Sequence, residues 1–201
     1  YRATRLSAME QVHLAARIAP ILTALRESAG KASALGPMVI MDAAISALDV
    51  EGRMTMANMA IEAGGKAGLF AADGATLEYC KKAGRTGDAL LAADPGATYE
   101  RTLTLNVTGM EPLVACPHLP ENVKPVSEIK GVAVNQVIIG SCTNGRISDM
   151  RAAAAVLKGR KVKKGLRCIV LPATPNVWKQ ALKEGLIEIM MDAGCVIGPA
   201  S

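Results

Sequence analysis

Two hundred and one residues, half of them hydrophobic, suffice for one fair-sized domain or two small ones, each with its own core. One Phe, one Trp and three Tyr leave that core to Ala, Val, Ile, Leu and Met. The net charge of +5 suits a small anionic substrate; it brings no interleaved aromatics for base stacking, and no apolar run reaches the length of a membrane span.

In chain order, residues 5–28 have a helical pattern. Leu6, Met9, His13, Ala16, Ile18, Ile21, Leu22 and Leu25 form a broad apolar face that Pro20 kinks or divides. His13 reads as a packing residue of that face. Gly30 to Pro37 is a loop, and Met38 to Leu48 is helical or mixed. A helix is expected next, with Thr55 as its N-cap and Gly64-Gly65 as its end. Asn58 and Glu62 are four apart on it, so they share a face. In a run of Met, Ala and Ile they must be buried or aimed into a cleft, and burying an unpaired carboxylate is costly. Glu62 is therefore a candidate for site chemistry, beside the plainer reading of a structural hydrogen-bonded pair.

Ala67 to Phe70 reads as a short strand. A helix follows over 73–82, with Asp73 or Thr76 near its start. Residues 84–96 form a charged surface segment punctuated by Gly and Pro, and 99–107 alternate as a half-exposed strand. Residues 112–115 are a second strand or extended piece. Residues 116–125 are irregular, held open by three prolines. His118 in that segment either faces a cleft or makes a loop hydrogen bond.

From 134 the pattern is regular: strand 134–140, helix 146–158, strand 167–172, helix 175–184, helix 186–193 and strand 195–198. Strands alternating with helices predict a parallel sheet with right-handed crossovers. Thr174 caps the helix that Pro175 opens, and Gly194 stops the last one. The basic residues of 158–167 (Lys158, Arg160, Lys161, Lys163, Lys164, Arg167) read as a solvated turn between helix and strand; an RNA-binding module is the remote alternative.

The five cysteines are Cys80, Cys116, Cys142, Cys168 and Cys195. Their number is odd, none has CxxC spacing, and no signal peptide is expected. A reduced, cytoplasmic protein is expected rather than a disulfide framework. Only His13 and His118 are histidines, which argues against a self-contained His-rich metal site. The chain opens at Tyr1 without Met, and both ends are expected to be cuts.

Cys142 stands out among the five because it sits where a buried parallel strand, Val137 to Ile139, hands over to a helix. Ligands gather at the carboxyl ends of strands in open α/β sheets. A helix N-terminus favours thiolate over thiol. Three readings of Cys142 remain: an inert packed cysteine, a metal or cluster thiolate, or a nucleophile with His118 as its base.

Six stretches, in order, carry a resemblance. They are Glu51-Gly-Arg-Met-Thr-Met-Ala-Asn-Met-Ala-Ile-Glu-Ala-Gly, Pro117-His-Leu-Pro-Glu-Asn-Val, Ile139-Gly-Ser-Cys-Thr-Asn-Gly-Arg-Ile-Ser-Asp-Met, Leu157-Lys-Gly-Arg-Lys-Val, Glu184-Gly-Leu-Ile-Glu and Gly194-Cys-Val-Ile-Gly-Pro. Together they resemble the 3-isopropylmalate dehydratase large subunits of the aconitase superfamily, over roughly residues 42–201. Homoaconitase and other 2-alkylmalate dehydratase large subunits are the near alternative.

The resemblance implies an α/β, three-layer, mainly parallel cluster-binding domain over 42–201. A helical segment over 1–41 stays unassigned. It implies a hydro-lyase of leucine biosynthesis that interconverts 2- and 3-isopropylmalate at a 4Fe-4S cluster whose open iron is a Lewis acid. It makes Cys142 a cluster thiolate. Asn58 and Glu62 become the catalytic pair that holds substrate and bound water. Ser141, Thr143, Asn144 and Arg146 form the cluster loop, with Arg146 a candidate for substrate recognition. It also implies a small-subunit partner and a small dicarboxylate substrate, with no nucleic acid and no membrane. The family's other two cluster cysteines lie in a Cys-Gly-x-Cys motif that would follow Gly198-Pro199, and its Asp-Ser-His-Thr segment has no counterpart in this chain. The chain is therefore expected to be a fragment with an incomplete ligand set, inactive alone.

Overall fold

The computed structural model describes residues 38–40, 43–86, 90, 92–100, 102, 104, 110–118, 122–141 and 143–200. The helix expected over 5–28, its His13, the loop 30–37 and Cys142 lie outside the described residues. The chain divides into two compact units, one ending at Glu128 and the other continuing from Ile129. Each is described by itself.

In the first unit, β1 (Met38–Val39) pairs in parallel with β2 (Gly68–Leu69). Between them run α1 (Ala43–Ser46) and α2 (Val50–Met59). The stretch 38–48 is thus mixed, strand then helix. Helix α2 is capped by Asp49, whose carboxylate accepts the Gly52 N–H at 2.7 Å.

Thr55 is not the cap. It lies one turn inside the helix, and its hydroxyl donates to the Glu51 carbonyl at 3.1 Å. The helix also ends earlier than expected, at Met59, and turns occupy 60–64. Leu48, Met56 and Ala63 form a small buried core, with Ile40, Ile45, Met59 and Phe70 packed on it.

Helix α3 (Gly74–Lys82) begins at Asp73, as the sequence suggests. Asp73 accepts the Thr76 N–H at 3.0 Å, and the Thr76 hydroxyl faces back to the Asp73 backbone, which makes a capping box. Of the strand expected over 99–107, the described residues Tyr99, Glu100, Thr102 and Thr104 are not in strand. β3 (Leu113–Ala115) pairs antiparallel with β4 (Val123–Pro125), and a single 3-10 turn follows over Val126–Glu128. β4 departs from the irregular segment expected there. Pro125 sits at the end of the ladder, opposite Leu113, where it needs to donate no bond.

The second unit follows the expected order throughout. It holds β5 (Gln136–Ile139), α4 (Ile147–Leu157), β6 (Arg167–Val170), α5 (Pro175–Lys183), α6 (Leu186–Asp192) and β7 (Val196–Ile197). The strands form one parallel sheet in the order β5-β6-β7. Right-handed crossovers running in one direction put α4, α5 and α6 on the same face.

The register decides which side chains meet those helices. Val137 aligns with Cys168, and Ile139 with Val170. These face the helices and pack with Met150, Ala154, Ala181, Ile187, Met190 and Cys195. Burying side chains such as Met150, Met190 and Val170 is worth about 1.5–3 kcal/mol each. Ile138, Ile169 and Val196 fall in one row on the opposite face, where Ile138 is 54 % and Val196 59 % exposed.

Thr174 caps α5 by accepting the Val177 N–H at 3.1 Å, with Pro175 in the first turn. The basic residues of 158–167 lie exposed in the turn between α4 and β6; the Lys161 ammonium donates to the Asp192 carbonyl at the end of α6. Among the described residues no helix is long and apolar enough to cross a membrane.

Candidate functional site

The turn from β5 into α4 is shaped by two glycines. Gly140 has φ 116° and Gly145 has φ 92°, a region that side chains rarely adopt. Both press against the same atom: a Cβ on either would run into the Leu171 carbonyl oxygen, just past the end of β6. Between them the chain makes a tight loop, which Ser141 organises. Its hydroxyl oxygen accepts the N–H groups of Thr143 at 3.3 Å and Asn144 at 3.0 Å, and its own N–H donates to the Asn144 carbonyl at 3.3 Å.

The loop is anchored at both sides. Leu171 N–H donates to Ile139 O at 2.8 Å, continuing the β5–β6 ladder, and Ala173 N–H donates to Gly145 O at 2.8 Å. Arg146 Nε donates to the Thr143 carbonyl at 2.9 Å. Part of the Arg146 guanidinium therefore belongs to the loop.

Asp149 completes the arrangement. Its Oδ2 accepts the N–H groups of Gly145 at 2.8 Å and Arg146 at 3.0 Å. A carboxylate at this position satisfies two donors of the helix start and complements its dipole. Asp149 was not among the sequence candidates; an acid in the first turn after Gly145-Arg146 is the signal that finds it.

Ser141, Thr143, Asn144 and Arg146 are thus brought together, in a loop held open by backbone bonds at a strand's carboxyl end. Cys142 lies outside the described residues.

Asn58 and Glu62 belong to the first unit. Asn58 is in the last turn of α2 and Glu62 is in the turns after it, so the two do not share a helix face as expected. Both are exposed, as is Ile61 at 67 %. Neither is sunk in the small core of Leu48, Met56 and Ala63. The helix stops early because Ala60 and Ala63 turn inward, Gly65 N–H donates to Ala60 O at 2.9 Å, and Gly64 takes φ 86°.

No local pattern announces what holds this end of the unit. Arg53 on α2 is buried, and its guanidinium donates to the carbonyls of Leu48 at 3.1 Å and Ser46 at 3.0 Å and to Asp73 Oδ2 at 2.8 Å. That contact holds the Asp73 carboxyl well below the usual carboxylate range.

The other described cysteines do not serve the loop. Cys168 and Cys195 are buried in the core of the second unit with their sulfurs 3.3 Å apart, and burial, then the neighbouring thiol, pushes Cys195 up to about 12. Cys80 and Cys116 lie in the first unit. Among the described residues no three His, Cys, Asp or Glu side chains gather as metal ligands. The described donor set does not by itself fit a four-iron cluster.

The family model for the aconitase family (aconitate hydratase) matches residues 23–131 and 124–200. Relatives named 3-isopropylmalate dehydratase large subunit include one from Nitratidesulfovibrio vulgaris (strain DSM 19637 / Miyazaki F). It is 76 % identical over 159 residues, which is 79 % of this chain and 38 % of the relative. One from Desulfovibrio desulfuricans is 67 % identical over 158 residues, 78 % of this chain and 38 % of the relative. One from Caldicellulosiruptor saccharolyticus is 54 % identical over 154 residues, 76 % of this chain and 36 % of the relative. The chain spans well under half the length of these relatives. On the family match across most of its length, the chain belongs to the aconitase family.

Proposed function

We propose that the chain is part of the large subunit of a hydro-lyase that interconverts 2-isopropylmalate and 3-isopropylmalate, acting in leucine biosynthesis with a small-subunit partner in the cytoplasm. The observation that carries this reading is the 76 % identity to a relative of that name over 159 residues, which include the loop after β5 and the end of α2. Residues 42–201 carry the aconitase-like motifs, and the family match reaches back to residue 23, inside the N-terminal segment left unassigned by those motifs.

Cys142 supplies one thiolate of a 4Fe-4S cluster whose other ligands lie outside this chain. The ordered backbone of Ser141, Thr143 and Asn144 on either side of Cys142 in sequence supports that reading: two close-packed glycines and the Asp149 carboxylate shape the loop they belong to. Asn58 and Glu62 face a small dicarboxylate substrate and its water, and Arg146 recognises a carboxylate. The exposure of Asn58 and Glu62 supports this, because neither is consumed by the core.

A graft tests the reading. Residues 42–200 replace the matching segment of the Nitratidesulfovibrio large subunit, which is co-produced with its small subunit. Turnover of 2-isopropylmalate within about tenfold of the parent is expected, a difference of about 1.4 kcal/mol in barrier. A graft that unfolds like the parent but turns over no 2-isopropylmalate would overturn it. The ligand set has its own test, anaerobic iron and sulfide analysis of the isolated chain. Less than stoichiometric iron is expected; four irons per chain would refute the incomplete set.

A further inference from the structure

Two of the cysteines outside the loop, Cys168 and Cys195, lie together in the second unit, and neither has a role in the reading above. Cys168 is the second residue of β6, and Cys195 immediately precedes β7. Ile169 aligns with Val196 and Val170 with Ile197 in the parallel ladder. One residue back, Cys168 aligns with Cys195. Neighbouring strands lie about 4.8 Å apart, inside the Cα separation that a disulfide spans. Both side chains point to the helix-covered face, and their sulfurs are 3.3 Å apart. The two are free thiols, closer together than unrelated core side chains need to be.

We infer that Cys168 and Cys195 form a dithiol that peroxide converts, reversibly, into a disulfide joining β6 to β7. The step balances as two successive reactions. One thiolate attacks the peroxide O–O bond, giving a sulfenic acid and releasing water. The second thiol then attacks that sulfur, forming the S–S bond and releasing the sulfenic oxygen as a second water. Two electrons and two hydrogens leave the protein, and hydrogen peroxide is the oxidant. An external dithiol reverses the bond by thiol–disulfide exchange.

Access sets the rate. Cys168 is 4 % and Cys195 7 % exposed, so the sulfurs do not meet bulk oxidant in the closed fold. Burial also holds the Cys195 thiol protonated. β7, however, has two residues and, among the described residues, is bonded in this sheet to β6 alone, at its edge. Opening of that edge is a local event that leaves the β5–β6 ladder intact. The pair is therefore slow to react but primed to close once one sulfur is oxidised, because its partner is already in contact. The pair lies three residues, about 10 Å, along β6 from Leu171, against which the loop glycines rest. The bond would thus stiffen the sheet without entering the loop. The inference stands apart from the reaction proposed above.

The test uses the whole 201-residue chain. Purified chain is treated with hydrogen peroxide, denatured, alkylated, digested without reductant and weighed by mass spectrometry. A cross-linked peptide pair joining Cys168 to Cys195 is expected, about 2 Da below the summed thiol masses, and dithiothreitol should abolish it. Urea at concentrations below the unfolding midpoint should speed its formation. The variants Cys168→Ser and Cys195→Ser, checked for native circular dichroism, should lose the linked pair, and the remaining cysteine should advance to sulfinic acid. Recovery of both cysteines as alkylated thiols, under conditions that oxidise Cys80 and Cys116, would overturn the inference. So would preferential linkage of either one to another cysteine of the chain.

Discussion

Arg53 and Asp73, twenty residues apart, meet at 2.8 Å and lock the start of α3 to the middle of α2. The Arg53 side chain is 7 % exposed and the Asp73 side chain 41 %. The cation is thus the buried partner and the carboxylate the wetter one. Losing Asp73 leaves Arg53 with only the Leu48 and Ser46 carbonyls, and it also removes the cap of α3. Asp73→Ala should therefore destabilise the first unit by about 1–3 kcal/mol, read as a lower urea midpoint. The acid dependence has a definite sign. The folded carboxyl titrates below its unfolded value of about 3.9. Its contribution is complete above that pH and is lost as pH falls below it. Between pH 6 and pH 3 the wild type should lose more stability than Asp73→Asn. Equal losses would remove the ion pair from the account.

Glu184 offers a surface counterpart in the second unit. Its carboxylate takes both Nε and Nη2 of Arg151, at 2.8 and 2.7 Å, and the Gln180 amide at 2.9 Å. The Arg151 bond, then the Gln180 bond, lowers its pKa to about 2. As a depressed acid, it adds stability above the unfolded carboxylate range and loses it as pH falls toward 2. Titration of the Glu184 carboxyl by NMR should find its midpoint near 2 in the wild type, and nearer the ordinary glutamate value in Arg151→Met. An unchanged midpoint in the variant would show that Arg151 is not the cause.

The second unit could be read almost element by element, while the first could not, and the difference is physical. Val137 to Ile139 and Cys168 to Val170 are apolar runs whose alternate residues pack under the helices; β5 is half-exposed rather than the buried strand expected, because Ile138 lies on the uncovered face, and Thr174, Pro175 and Gly194 mark helix ends by local chemistry alone. In the first unit two residues compete for one cap. Asp49 wins, while Thr55 turns its hydroxyl back to Glu51, and nothing local separates them. Nothing local marks Arg53 as buried, because its partner Asp73 comes from the cap of another helix. β4 has only three residues and ends in proline, so no alternation announces it. The loop itself was legible because its glycines and Ser141 are local turn chemistry. The Leu171 carbonyl it rests on is a backbone atom, which no side-chain pattern reports. The Cys168–Cys195 contact depends on sheet register and was invisible for the same reason.

The glycines of the loop give the sharpest steric test. Gly140 and Gly145 are doubly constrained, by positive φ and by the Leu171 oxygen, whereas Gly159 has φ 71° with open space around it. Gly159→Ala should cost about 1 kcal/mol, the left-handed penalty alone. Gly140→Ala and Gly145→Ala should each cost more than about 2 kcal/mol, because the backbone must also move off Leu171. Urea denaturation of the three variants settles the ranking. Equal costs would mean that the loop yields easily and that its shape is not held by Leu171.

Asp149 separates the loop's shape from the helix's stability. Its carboxylate bonds the N–H groups of Gly145 and Arg146, one donor in the loop and one at the helix start. Asp149→Asn keeps one oxygen acceptor and removes the charge. Asp149→Ala removes both and should destabilise by about 1–2 kcal/mol. If the carboxylate shapes the loop, amide resonances of 143–146 shift in both variants, more in Asp149→Ala, while those of β7 stay in place. Amide exchange at Gly145 and Arg146 should quicken as their acceptor is lost. Shifts confined to α4 would instead mean that the carboxylate serves only the helix, and that the Ser141 hydroxyl and the Leu171 contact hold the loop without it.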